Sequence, residues 1–155
     1  MKKEINVVYI SFSGNVRSFS KRLQEYATQQ HELNSEEPLV NLLEISEASL
    51  PQAAKEPFFV ILPTYMVGGS QFEPDLTELL TTPMRDYLES YDNVKQCVGF
   101  IGSGNLTLGE MYVITAKTYA RDYDLPLLAA FESRGTQKDI EQIYRELADL
   151  TKYDK

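Results

Sequence analysis

The chain has 155 residues, 15 basic against 23 acidic, with a formal net charge of −8; 43% of its residues are hydrophobic and 25% charged. That length and balance predict one globular domain spanning 1–155, with a core that buries about 70% of the unfolded surface, and they exclude a disordered or fibrous chain. The acid excess argues against nucleic-acid and anionic-membrane partners, which need clustered Lys and Arg.

Cys97 and His31 each stand alone in the composition. Cys97 has no partner for an internal disulfide, and no Cys/His cluster exists for zinc or an iron–sulfur centre, so no metal site is expected. His31 lies in a polar stretch and reads as a plain surface histidine rather than a member of a catalytic triad. No apolar run approaches the roughly 18 residues of a membrane span. The first residues lead straight into an apolar strand without the apolar stretch and cleavage site of a signal peptide, so the cytoplasm is the expected compartment. Hard chemistry in such a chain falls to a bound cofactor.

In chain order, the apolar run Ile5–Ile10 predicts a first strand, and Val16, Phe19, Leu23 and Tyr26 then fall on one helical face. Arg17, Lys21 and Arg22 read as the solvated face of that helix, and His31–Glu37 as a polar loop. Val40–Ile45 predicts the second strand. Between Ser46 and Glu56 the helical signal is poor, so this crossover is short or irregular. Phe58–Leu62 predicts the third strand. Leu76, Leu79 and Leu80 make one apolar stripe, and Met84, Tyr87 and Leu88 continue it. Pro83 after Thr82 predicts a break, with one helix ending near Thr81 and another capped by Thr82. Cys97–Ile101 predicts the fourth strand, with Cys97 an inert buried thiol. Thr107 and Glu110 have capping-box spacing and open the next helix. Leu127–Phe131 predicts the fifth strand. Thr136 and Asp139 form a weaker box ahead of the stripe Ile140, Ile143, Tyr144, Leu147 and Leu150.

Mostly continuous apolar strands separated by helices predict an α/β fold, a doubly wound five-stranded parallel sheet of order 2-1-3-4-5 with helices on both faces. Ligands of such sheets bind beyond the carboxyl ends of the strands, near the switch between strands 1 and 3. Three loops there are unusual. Ser11-Phe12-Ser13-Gly14-Asn15-Val16 places small donors and backbone N–H groups at a helix start, which suits a phosphate held without lysine. Pro63-Thr64-Tyr65-Met66-Val67-Gly68-Gly69-Ser70 sets an aromatic beside glycines, which suits a planar ligand. Gly102-Ser103-Gly104-Asn105, continuing through Gly109 to Tyr112, allows close backbone approach. Each loop alone is also an ordinary turn; the three at converging strand ends make a ligand site.

These residues, together with Pro126, Phe131-Glu132 and Gly135-Thr136 followed by Asp139, resemble the NrdI family. The resemblance covers nearly the whole chain and implies a flavodoxin-like FMN protein serving class Ib ribonucleotide reductase. It implies that Ser11, Ser13, Gly14 and Asn15 hold the FMN phosphate, with Phe12 and Val16 in the same loop. Tyr65, Met66, Gly68 and Gly69, entered through Pro63 and Thr64, would flank the isoalloxazine. Gly104, Asn105, Gly109 and Tyr112 would form the other side of the pocket. No side chain is implied as a catalytic acid or base.

The implied role begins with an upstream flavin reductant and the reduction of oxygen at the reduced flavin. The resulting superoxide or peroxide passes to the dimanganese small subunit of the reductase, where a tyrosyl radical is then formed. Three positions depart from the family pattern: Val16 stands where a hydroxyl residue is usual, Leu108 where an aromatic is frequent, and Met66-Val67 within what is often a glycine run. Two alternatives stay open, a general flavodoxin electron carrier and a flavin-free interaction module that keeps the fold.

Overall fold

The computed structural model describes residues 4–64, 75–106 and 112–153. Five strands, β1 (Ile5–Ile10), β2 (Val40–Ile45), β3 (Phe58–Pro63), β4 (Cys97–Gly104) and β5 (Leu127–Glu132), form one sheet in the order β2-β1-β3-β4-β5. Every neighbouring pair is parallel. The helices are α1 (Asn15–Leu33), α2 (Asp75–Glu89), α3 (Ile114–Tyr123) and α4 (Gln137–Tyr153), with a short 3-10 turn at Asn93–Gln96. This is the expected doubly wound order. No helix lies between β2 and β3, as the weak helical signal there predicts.

The continuous apolar strands have a simple cause, since successive side chains enter two different cores. Val7 and Tyr9 of β1 join Phe19, Leu23, Phe131, Ile140 and Tyr144 under α1 and α4. Val8 and Ile10 of the same strand join Leu62, Met84, Leu88, Phe100 and Tyr119 under α2 and α3. A period of two with both faces covered favours apolar residues at successive positions. Phe19 and Phe131 stack at 3.9 Å between ring centroids and bring α1 onto β5. Cys97 is buried, and burial pushes its thiol up to about 12, the inert state expected.

Several expectations are corrected. The helix after β1 runs on to Leu33, so His31 lies in its last turn rather than in a loop. His31 is half-buried, and its Nδ1–H donates to the Glu37 carbonyl at 2.9 Å. Glu37 is itself only 8% exposed, and its carboxylate is held by Arg145 and Lys152 of α4. Pro83 does not divide the third helical region, because α2 runs through it unbroken. Thr81, Met84, Tyr87 and Leu88 are all buried, and keeping them on one face offsets the hydrogen bond that proline cannot make. Strand β4 extends to Gly104, where a loop was expected from Gly102; pairing with β5 continues as far as Gly104 opposite Glu132. Strand β5 likewise ends at Glu132.

Arg17 and Arg22 are not simply solvated. Arg17 pairs with Glu44, and Arg22 donates to the carbonyls of Arg134 and Gly135. Thr107 and Glu110 lie outside the described residues, and α3 is described from Ile114, after a turn at Tyr112 and Val113. The second box is fully formed: Thr136 N–H donates to Asp139 Oδ2 at 2.8 Å, and Asp139 N–H to Thr136 Oγ1 at 3.1 Å. Among the described residues, no helix is long and apolar enough to cross a membrane.

Candidate functional site

The strand order places the carboxyl ends of β1, β3 and β4 side by side, so the three unusual loops begin at the same end of the sheet. Beyond β1 the chain turns into α1 through Gly14, whose φ of 92° lies in the left-handed region that side-chain-bearing residues avoid. Gly14 caps α1 without a side-chain hydrogen bond, and the first turn carries no acidic residue. Asn15 and Val16 open the helix, where N–H groups have no partner within the helix and the helix dipole favours an anion. Ser11 Oγ accepts the Arg17 N–H at 3.3 Å, which leaves its hydroxyl proton to donate elsewhere. A Cβ built on Gly14 would meet nothing within 4 Å, so the space over the turn is open. Ser13 is exposed and Asn15 half-exposed. These are neutral donors around an open helix start, and they fit a phosphate.

Val16 belongs to this turn by its backbone alone. Its side chain is 1% exposed and packs in the core with Phe19. Phe12, at 39% exposure, is the apolar residue of the turn that faces outward. The Arg17 guanidinium, from the first turn of α1, is occupied: Glu44 accepts its Nε–H at 3.0 Å and also the Tyr9 hydroxyl at 3.0 Å. Hydrogen bonding to Arg17 holds the Glu44 carboxyl below its usual range against the opposing effect of burial. Burial, then Glu44, pushes the Tyr9 hydroxyl up to about 12. No local motif announced this group, because Glu44 comes from β2 and only the sheet brings it to α1.

At the end of β3, Pro63 pairs with Ser103 of β4 and Thr64 follows. Thr64 Oγ1 donates to the Tyr112 carbonyl at 3.3 Å and ties the β3 loop to the β4 loop. Tyr112 crosses over Gly104 so closely that a Cβ on Gly104 would stand 1.6 Å from the Tyr112 oxygen. The Tyr112 side chain is half-buried, and burial, then the Asp139 and Glu132 carboxylates, raises its hydroxyl above the usual value. Asn105 is exposed at the rim. Tyr65, Met66, Gly68, Gly69 and Gly109 lie outside the described residues, as do Val67, Ser70 and Leu108.

The turn after β5 was not among the expected site residues, and it reaches over the end of β4. Ser133 N–H donates to the Gly104 carbonyl at 2.8 Å, Ser103 Oγ donates to the Ser133 carbonyl at 2.5 Å, and Leu106 N–H donates to Glu132 Oε2 at 3.0 Å. The signal for it was the Phe131-Glu132 and Gly135-Thr136 pattern, whose purpose is invisible until β5 lies beside β4.

A family model described as NrdI Flavodoxin like matches residues 7–145. An NrdI-like protein of Streptococcus pyogenes serotype M18 (strain MGAS8232) is 39% identical over 140 residues, covering 90% of this chain and 90% of its own length. One from Streptococcus pneumoniae (strain ATCC BAA-255 / R6) is 35% identical over 162 residues, covering 99% of this chain and 98% of its own. Among solved structures, oxidised flavodoxin 2 from Bacillus cereus superposes with a TM-score of 0.60 at 19% identity, covering 94% of this chain and 98% of that one. A short-chain flavodoxin associated with a PDU bacterial microcompartment gives 0.61 at 19% identity, with both chains covered in full. The two flavodoxins share the fold, and the sequence matches carry the assignment: this chain belongs to the NrdI flavodoxin-like family.

Proposed function

We propose that the chain binds FMN at the carboxyl ends of β1, β3 and β4 and works with the dimanganese small subunit of a class Ib ribonucleotide reductase. The observation that carries the reading is the start of α1: a left-handed Gly14 under open space, first-turn amides, serine hydroxyls and no acidic residue. Ser11, Ser13, Gly14 and Asn15 would hold the phosphate through neutral donors and the helix dipole, with the Val16 N–H in the same turn. Gly104, Asn105 and Tyr112 would bound one side of the ring, and Tyr65 with residues 66–70 and 109 complete the expected set.

Bound FMN would supply storage of two electrons from an upstream reductant and their transfer to oxygen. The protein's residues bind, orient and screen the ring; none of them need act as a proton donor or acceptor. Glu44 keeps the Arg17 guanidinium paired, so the phosphate turn stays a cradle of dipoles rather than a fixed cation.

An FMN titration of the purified protein, followed by quenching of flavin fluorescence, tests the cofactor. Stoichiometric binding is expected; no binding at high flavin concentration sinks the reading. Oxygen consumption by the reduced protein, with and without a class Ib small subunit loaded with manganese, then tests the role. Radical formation that depends on this protein supports it, and electron delivery to the subunit without oxygen favours a general flavodoxin.

A further inference from the structure

In the run Phe131-Glu132-Ser133-Arg134-Gly135-Thr136, most residues have a folding duty. Phe131 stacks in the core, the Arg134 and Gly135 carbonyls accept bonds from Arg22, and Thr136 caps α4. Ser133 has a left-handed φ of 55°, rare for a residue with a side chain, and bonds to both Ser103 and Gly104 hold it there. Glu132 differs from all of these. Its side chain is exposed, fills no core position, and accepts the backbone N–H of Leu106 at 3.0 Å. Leu106 follows Gly104 and Asn105, which the proposal above sets beside the flavin ring. Fixing a mobile carboxylate on a surface loop costs side-chain freedom and adds nothing to the core. What it does accomplish is to anchor the backbone of 104–106 from the neighbouring strand.

We infer that Glu132 is a positioning residue for the flavin: its carboxylate holds the Leu106 N–H and thereby fixes the 104–106 backbone in the shape that receives the ring. This rests on the FMN reading above. A purely electrostatic role would show the opposite pattern, because a carboxylate near an anionic ligand repels it, and losing the charge would tighten binding equally in any neutral variant.

The test compares FMN titrations of the wild type, Glu132→Gln and Glu132→Ala, with thermal unfolding of the flavin-free proteins alongside. Glutamine keeps an acceptor oxygen for Leu106 and should hold the affinity within about twofold, whereas alanine should loosen it about three- to tenfold. Alanine should also blur the fine structure of the bound flavin's visible absorption band while leaving Tm nearly unchanged. Equal affinities in all three proteins, or equal changes in the two variants, overturn the inference. Should alanine prevent folding, Glu132→Asp, whose carboxylate falls short of Leu106, takes its place and should weaken binding in the same way. A wild type that binds no FMN overturns the underlying reading, and an FMN-binding wild type with an indifferent alanine variant overturns this inference alone.

Discussion

The Tyr112 carbonyl packs directly against Gly104: a Cβ on residue 104 would stand 1.6 Å from its oxygen. The end of β4 and the segment leading into α3 can meet in this way only through a residue with no side chain. The same carbonyl accepts the Thr64 hydroxyl, so one backbone group joins the loops after β3 and β4.

Gly104→Ala should therefore push Tyr112 away and release Thr64. The expected cost is about 1–3 kcal/mol of stability, the range for overpacking a tight contact. FMN affinity should fall with it. Urea unfolding and a flavin titration on the same preparation check both, and a variant unchanged in either would show that Tyr112 shifts away from a methyl group at no cost.

Gly14→Asp probes the proposed phosphate site separately from the fold. Open space over Gly14 admits the side chain, and the left-handed φ of 92° costs about 1 kcal/mol in a residue that tolerates it better than most. A carboxylate at the start of α1 would satisfy the first-turn amides itself and repel a phosphate, lowering FMN affinity about a hundredfold or more. Riboflavin, which lacks the phosphate, should bind the variant and the wild type alike. Equal losses for both ligands would move the phosphate away from this turn.

Glu37 predicts a pH dependence. Hydrogen bonds from Arg145 and then Lys152 hold its carboxyl below the ordinary 4.5, against burial, which raises it. A folded-state value below the unfolded one means that the pairing contributes stability above about pH 4.5 and loses it as pH falls through the folded value. Glu37→Gln should cost about 1–2 kcal/mol at pH 7, a figure kept small because Arg145 is nearly half exposed. The difference between variant and wild type should shrink on acidification, and urea midpoints from pH 7 down to pH 3 would show a constant gap if the pairing were idle.

Pro83 offers a gain. Inside α2 it lacks the N–H that would donate to the carbonyl of residue 79, four positions earlier in the helix. Pro83→Ala restores that donor and should raise stability by about 1–2 kcal/mol, the helix gain less the entropy that proline removes from the unfolded chain. An unchanged or lower midpoint in urea would mean that the helix already satisfies this carbonyl in another way.

Much of the fold was legible in the residues. β1 and β2 begin and end where their largely apolar runs do; β1 is covered on both faces, whereas β2, at the edge of the sheet, keeps Asn41 exposed and Glu44 half-buried. The start of α4 was legible from Thr136 and Asp139, a local pair whose bonds close within one turn. Pro83 was misread because the local penalty of a proline is real, yet the burial of Met84, Tyr87 and Leu88 on the same face outweighs it. His31 was misread because a polar stretch looks alike in a loop and in the exposed last turns of a helix.

The serine, glycine and asparagine after β1 were recognisable from sequence alone as a strand-to-helix turn with exposed amides, since a helix start carries its own N–H groups and dipole wherever it is placed. Which distant residues complete the site depended on the tertiary structure. Glu44 reaches Arg17 across 27 positions, Glu132 reaches Leu106 across 26, and Thr64 reaches Tyr112 across 48. These contacts arise because a parallel sheet of this order lines up the carboxyl ends of strands that are far apart in the chain. Local propensity settles the elements; only their packing decides which loop ends share a space.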